Sequence, residues 1–182
     1  MFVPIPATQA ELSDLFYIED GRLMNKINRA NNKVKAGTEA GSLRKDGYKT
    51  VRIKGRQCLV HRVIYFMQFG YEPPEVDHPS LTREDNKYVR AATRSDNRCN
   101  TNTYLNNTSG VKGLSRVTLK GKPYYVASIT KDGKRKTKTM LATEDNRTKL
   151  INWLDEMRIQ MHGQFANRGD NEYYGRNAEE AN

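Results

Sequence analysis

Cysteine is scarce in this chain. Two residues, Cys58 and Cys99, among 182 make neither a disulfide framework nor a four-thiolate zinc site. The three histidines, His61, His78 and His162, are too scattered to complete a mixed Cys/His zinc set. No apolar run approaches the ~20 residues that span a bilayer. The start, Met1-Phe2-Val3-Pro4-Ile5-Pro6, lacks the basic segment of a signal peptide. The thiols are therefore expected to be reduced and the chain to be cytoplasmic, with no membrane partner. Hydrophobic residues make up only 36%, so any cores must be small. The ten tyrosines help here, since each brings a large apolar ring with a polar tip. Acid is short as well: 21 Asp and Glu stand against 31 Lys and Arg, a formal charge of +10. Such an imbalance points to a polyanionic partner, DNA or RNA ahead of an anionic surface. A solvated basic face with no partner is the plain alternative.

What is present concentrates between residues 76 and 100. Val76-Asp77-His78 closes a short apolar run, Asp85-Asn86 follows in a polar loop, and Ala92-Thr93-Arg94-Ser95-Asp96-Asn97 leads into a helix. These are the parts that one-metal phosphodiester hydrolysis needs. A hard divalent cation takes oxygen ligands, which Asp77 and an Asn amide supply. A neutral imidazole beside them accepts a proton from the attacking water.

Further motifs stand in the same order along residues 8–100: Ala40-Gly41-Ser42-Leu43, Asp46-Gly47-Tyr48 and Val60-His61-Arg62. Together with the stretch above they resemble the HNH homing endonucleases common in bacteriophages. The resemblance implies a ββα-metal module, duplex DNA as substrate, and Mg²⁺ as cofactor with Mn²⁺ as substitute. By position it makes Asp77 and Asn97 the metal ligands and His78 the general base. The segment before Arg90 is shorter than in the family, and Tyr88 stands where an Asn is usual. Asn86 is the expected substitute for the family's middle Asn, which holds the loop behind the base. His61 and Arg62, at a helix start, and Arg94 are candidate contacts to DNA.

In chain order, Thr8-Gln9-Ala10-Glu11 forms a capping-box pattern, predicting a helix to about residue 16. A strand, a turn and a strand are expected over 17–24, and a polar basic loop over 25–39. Asp46-Gly47 predicts a hairpin with positive φ at both central positions, and Lys54-Gly55 predicts a second turn. Residues 61–69 read as a helix ended by Gly70. The prolines of Glu72-Pro73-Pro74-Glu75 make a stiff connector.

An Asn- and Thr-rich linker is read at 101–106. Beyond it, residues 111–142 hold nine Lys or Arg against one acid, Asp132. Three alternating runs, 113–119, 124–130 and 136–141, are joined by Lys120-Gly121-Lys122-Pro123 and Lys131-Asp132-Gly133-Lys134. Thr143 caps a following helix to about His162, on which Leu150, Leu154, Met157 and Met161 form one apolar row. His162 reads as a cap or surface residue. Lys and Arg on three neighbouring strands are expected to gather charge on one surface.

Asn107-Thr108-Ser109-Gly110-Val111-Lys112-Gly113 and His162-Gly163-Gln164-Phe165-Ala166 make this segment similar to the Apetala-type DNA-binding domain. The resemblance implies a three-stranded antiparallel sheet packed on one helix, its open face in the DNA major groove. Leu114-Ser115-Arg116 replaces the aromatic often found after the first strand's glycine. Candidate DNA contacts are Arg116, Lys120, Lys122, Lys134, Arg135, Lys136 and Lys138.

The whole reads as an α+β chain: an HNH nuclease over 1–100, a linker over 101–106, an Apetala-type reader over 107–167 and a disordered tail over 168–182. The expected protein is a monomeric endonuclease that uses Mg²⁺, binds duplex DNA and takes no small-molecule substrate. Its rivals are an inactive sequence-specific DNA-binding regulator and an RNA-binding protein.

Overall fold

The computed structural model describes residues 3–83 and 86–169. The architecture is mixed α+β, with four small antiparallel sheets and four α-helices among the described residues. Two compact units divide the chain, Met1–Thr93 and Arg94–Asn182. The division falls ahead of the segment read as a linker, and that segment is fastened within the second unit. The Thr103 amide and hydroxyl both donate to the Gly169 carbonyl at 3.0 Å. The Lys112 ammonium donates to the carbonyls of Cys99 and Thr101 at 2.8 and 2.7 Å. A polar composition alone does not make a linker when its backbone groups have partners. Of the tail read as disordered, residues 170–182 lie outside the described residues.

The first unit opens on α1 (Gln9–Leu15), where Thr8 and Glu11 form the complete capping box. The strands β1 (Phe16–Glu19) and β2 (Arg22–Asn25) follow as a hairpin. Then come β3 (Ser42–Leu43), β4 (Lys49–Ile53) and β5 (Arg56–Leu59), in sheet order β3-β4-β5. The helix α2 (Val60–Phe69) ends where Gly70 takes a left-handed conformation. Last is the pair β6 (Glu75–Asp77) and β7 (Arg90–Ala92). Leu12, Phe16, Leu23, Ile53, Val60, Val63 and Ile64, each at most 2% exposed, form the core. Each such side chain contributes ~1.5–3 kcal/mol by leaving water.

One turn departs from expectation. At Asp46-Gly47 only Gly47 has positive φ, at 83°. The Arg44 amide donates to the Tyr48 carbonyl and the Gly47 amide to the Arg44 carbonyl. The loop is thus a three-residue connection, a type I turn followed by a left-handed glycine. Two-residue turns with both φ positive are at Asp20-Gly21, Lys54-Gly55, Lys120-Gly121 and Asp132-Gly133; at Lys54-Gly55 the angles are 46° and 81°, between the paired Ile53 and Arg56.

The second unit begins with α3 (Arg94–Cys99). The strands β8 (Leu114–Leu119), β9 (Lys122–Lys131) and β10 (Lys134–Leu141) form an antiparallel sheet of order β10-β9-β8. On it lies α4 (Glu144–His162), capped by the Thr143 hydroxyl. Leu114, Ala127 and Ile129 pack with Leu150 and Leu154, and Tyr125 and Met140 flank them.

The register then assigns the basic side chains. Leu114 pairs with Ala127, Arg116 with Tyr125, Ile129 with Lys136, and Ala127 with Lys138. Side chains alternate along a strand, so Arg116, Lys134, Lys136 and Lys138 share the helix-covered side. The Lys136 ammonium accordingly lies 3.6 Å from Met157 Sδ, on α4. The open side carries Lys122 and Arg135 among Ser115, Val117, Tyr124, Val126, Ser128, Thr137 and Thr139, and Arg135 donates to the Ser128 hydroxyl at 2.9 Å. The expected single basic surface is therefore corrected: the bases are divided between two faces and the turns.

Candidate active site

Four polar residues of the first unit, His61, Asp77, His78 and Asn86, are each at most 6% exposed. Burying polar groups costs free energy unless they are partnered, so their arrangement is informative. The last residue of β6 is Asp77, and it pairs directly with Arg90 of β7. The guanidinium approaches Asp77 Oδ2 with Nε at 2.7 Å and Nη2 at 2.6 Å. This cross-strand pair holds the carboxylate at the strand end and sets a cation against it.

Next in the chain, His78 leaves the strand, and its carbonyl accepts from the Leu81 amide as the loop turns. His78 Nε2 lies 3.0 Å from Asn86 Oδ1. An amide oxygen only accepts, so with Oδ1 facing the ring His78 Nε2 is the donor. Asn86 thus meets the imidazole from the far end of the loop.

Two further rings enclose His78. His61, in the first turn of α2, meets it edge-on with centroids 4.8 Å apart. Tyr48, just before β4, lies 5.3 Å from His61 and 6.1 Å from His78. Arg83 lies over the Tyr48 ring at 5.0 Å. Burial, aided by His78 and Arg62, lowers the His61 pKa to about 3. His61 is therefore neutral at ordinary pH and adds no positive charge beside Asp77 and His78.

The remaining expected site residues stand on other elements. Arg62 donates to the Pro73 carbonyl at 2.8 Å and to that of Pro74 at 3.3 Å, and pairs with Glu72 at 3.5 Å. Its guanidinium fastens the connector that leads into β6. The second unit holds Asn97 and Arg94, both on α3. Arg116, Lys120, Lys122, Lys134, Arg135, Lys136 and Lys138 are all exposed. His162 is 6% exposed, with Nε2 3.3 Å from the Thr130 carbonyl. It is a buried residue rather than a surface cap, because the last turn of α4 lies beneath β9.

Sequence reasoning assigned no role to Tyr48, Arg83 or Arg90. Tyr48 was available as the last residue of Asp46-Gly47-Tyr48. The pairing of Arg90 depends on the β6–β7 register, which the loop's unusual length conceals.

The donor chemistry fits a hard cation. Asp77 offers a buried carboxylate with uncharged imidazole nearby, and Mg²⁺ commonly binds through one or two carboxylates while keeping waters and phosphate oxygens. Among the described residues no three His, Cys, Asp or Glu side chains gather as a ligand set, and such a site needs none. No protein-family model, curated protein or solved structure matches the chain.

Proposed function

We propose that this chain is a metal-dependent HNH-type endonuclease that hydrolyses phosphodiester bonds in duplex DNA. The observation that carries the reading is the buried pair His78–Asn86 at 3.0 Å, beside Asp77 at a strand end. In this reading His78 Nδ1 takes the proton of the attacking water. Asn86 fixes the ring's tautomer and direction from behind. His61 and Tyr48 wall the imidazole from solvent, and Arg90 holds the Asp77 carboxylate in place. Asp77 and Asn97 are the proposed ligands for Mg²⁺ or Mn²⁺. When bound, the ion supplies Lewis-acid stabilisation of charge on the phosphate and the leaving oxygen. In the proposed ββα-metal arrangement β6 and β7 would be the strand pair and α3, bearing Asn97, the helix. The second unit, read as Apetala-type, supplies register and site choice, since phosphate contacts position a protein while base-edge contacts specify.

The test is cleavage of supercoiled plasmid with Mg²⁺. The reading expects nicking or linearisation that EDTA abolishes, that Mn²⁺ restores and that Asp77→Asn removes. A second reading has its own support. Arg90 already neutralises Asp77 through two close nitrogens, as in a fold kept for DNA binding alone. Duplex binding with no cleavage under either ion would establish that binder and reject the nuclease.

A further inference from the structure

Within the second unit, β9 runs past the start of β8, and Gly113 meets it there: the Ser128 amide donates to the Gly113 carbonyl at 2.8 Å. Gly113 has φ +85°, and a Cβ on it would stand 2.7 Å from the Ser128 carbonyl oxygen. Only glycine lets the chain pass this closely. Beside this crossing opens a cleft of about 730 Å³, within the size range of small-molecule sites.

Its walls are chemically divided. Arg94 and Arg98, four apart on α3 and so on one helix face, line it and are exposed. Neither takes part in an ion pair among the described residues, unlike Lys131, which pairs with Asp96 at 2.6 Å. Tyr104, 69% exposed, presents an aromatic ring at the same cleft. Ile129 and Leu154 give it an apolar wall, and His162 also lines it. His162 Nε2 donates to the Thr130 carbonyl, while its buried Nδ1 has no hydrogen-bond partner. Such a lone pair is costly and calls for a donor.

We propose that this cleft binds a nucleoside phosphate. Arg94 and Arg98 take the phosphate, since the guanidinium fork matches its oxygens. Tyr104 stacks on the base, which tolerates any base because each has a π-face. A base amino group supplies the donor for His162 Nδ1, directly or through one water. A free nucleotide and an unpaired nucleotide of a strand share this chemistry. The inference does not rest on the nuclease reading: every lining residue belongs to the second unit, and binding needs neither metal nor cleavage.

The test is calorimetric titration of the full chain with three probes: deoxyadenosine 5′-monophosphate, inorganic phosphate, and a single-stranded oligonucleotide of about six residues. The mononucleotide or the oligonucleotide should bind more tightly than inorganic phosphate. Arg98→Gln should weaken that binding by about tenfold, the worth of one charge-assisted contact. Tyr104→Ala should weaken the nucleoside probes and leave phosphate unchanged. Both side chains are exposed, so both variants should melt like the parent. Binding of the mononucleotide identifies the free ligand as one source; binding of the oligonucleotide alone identifies the strand. The proposal is overturned if neither nucleoside probe binds, if inorganic phosphate binds as tightly, or if both variants bind like the parent.

Discussion

The two units bury polar side chains in different ways. In the first, four of the six buried polar residues, His61, Asp77, His78 and Asn86, are linked by ring contacts, a shared loop and one hydrogen bond of 3.0 Å, while Asn25 bonds to Thr38 and Arg29, and Thr50 to Gln57. In the second, buried polar groups join distant stretches of chain: Asn167 donates to Asn100 at 2.8 Å, and Arg158 donates to the Lys112 carbonyl. A framework distributes its polar contacts wherever segments meet. Concentrating four of them around an acid and an imidazole is the feature on which the proposed nuclease reading draws.

The largest effect should come from breaking this contrast at its centre. His78→Ala should slow cleavage by ~10²–10⁴-fold with little change in duplex affinity, the usual worth of a general base. Asn167→Ala in the framework should leave the cleavage rate unchanged while lowering stability by ~1–3 kcal/mol, because it removes the buried donor to Asn100 Oδ1. Single-turnover plasmid nicking and urea melts read the two quantities. Normal cutting by the His78 variant would end the claim that the first cluster is reactive.

Arg90→Ala sharpens the same comparison through stability. The Asp77 side chain is 4% exposed, and losing its guanidinium partner should cost ~3–5 kcal/mol. Lys149→Ala, which removes an exposed ion pair four residues along α4, should cost no more than ~0.5 kcal/mol. Urea midpoints that move equally would show that Arg90 does no more than a surface charge.

Much of the local structure was legible in the sequence, because short-range chemistry determined it. Thr8 and Glu11 marked the start of α1, Gly70 the end of α2, and the alternation in 113–141 the three strands. Asp77 at a strand end followed from the apolar run before it. What escaped depended on register. Asp46-Gly47 serves a two-residue or a three-residue loop equally well, and the closing pair Arg44–Tyr48 decides. Arg90 faces Asp77 only once β6 and β7 are aligned. The sharing of bases between two sheet faces follows from which face α4 covers, which Leu114 and Tyr125 settle. His162 looked like a cap because its burial comes from β9, remote in sequence.

A pH series separates the second unit further. Burial, with Lys112, Lys131 and Arg158 nearby, lowers the His162 pKa to about 4, although the Thr130 carbonyl opposes the shift. The unfolded value lies near ~6.5. Between these values the unfolded chain binds more protons, so stability is full above pH ~6.5 and falls as pH drops toward 4. The loss between pH 7 and 5 should be about 2 kcal/mol. The single tryptophan, Trp153, lies on α4, so its fluorescence in urea reports this unit. His162→Gln should flatten the dependence; an unchanged slope would assign it to other groups.

The smallest effect compares the two faces of the sheet. If the open face meets the duplex, Lys122 and Arg135 neutralise phosphates, while Lys136, held over Met157 on the helix side, does not. Each phosphate contact contributes ~0.9 to the slope of log affinity against log salt. Lys122→Gln and Arg135→Gln should each lower the slope by about that amount, and Lys136→Gln should leave it unaltered. All three side chains are exposed, so folding is not at issue, and each substitution changes net charge equally. Equal slopes for all three would mean that long-range charge alone governs binding. A lower slope for Lys136→Gln alone would move the contact to the helix side. The measurement is duplex binding of parent and variants across a salt series without divalent ions, which keeps cleavage out of the comparison.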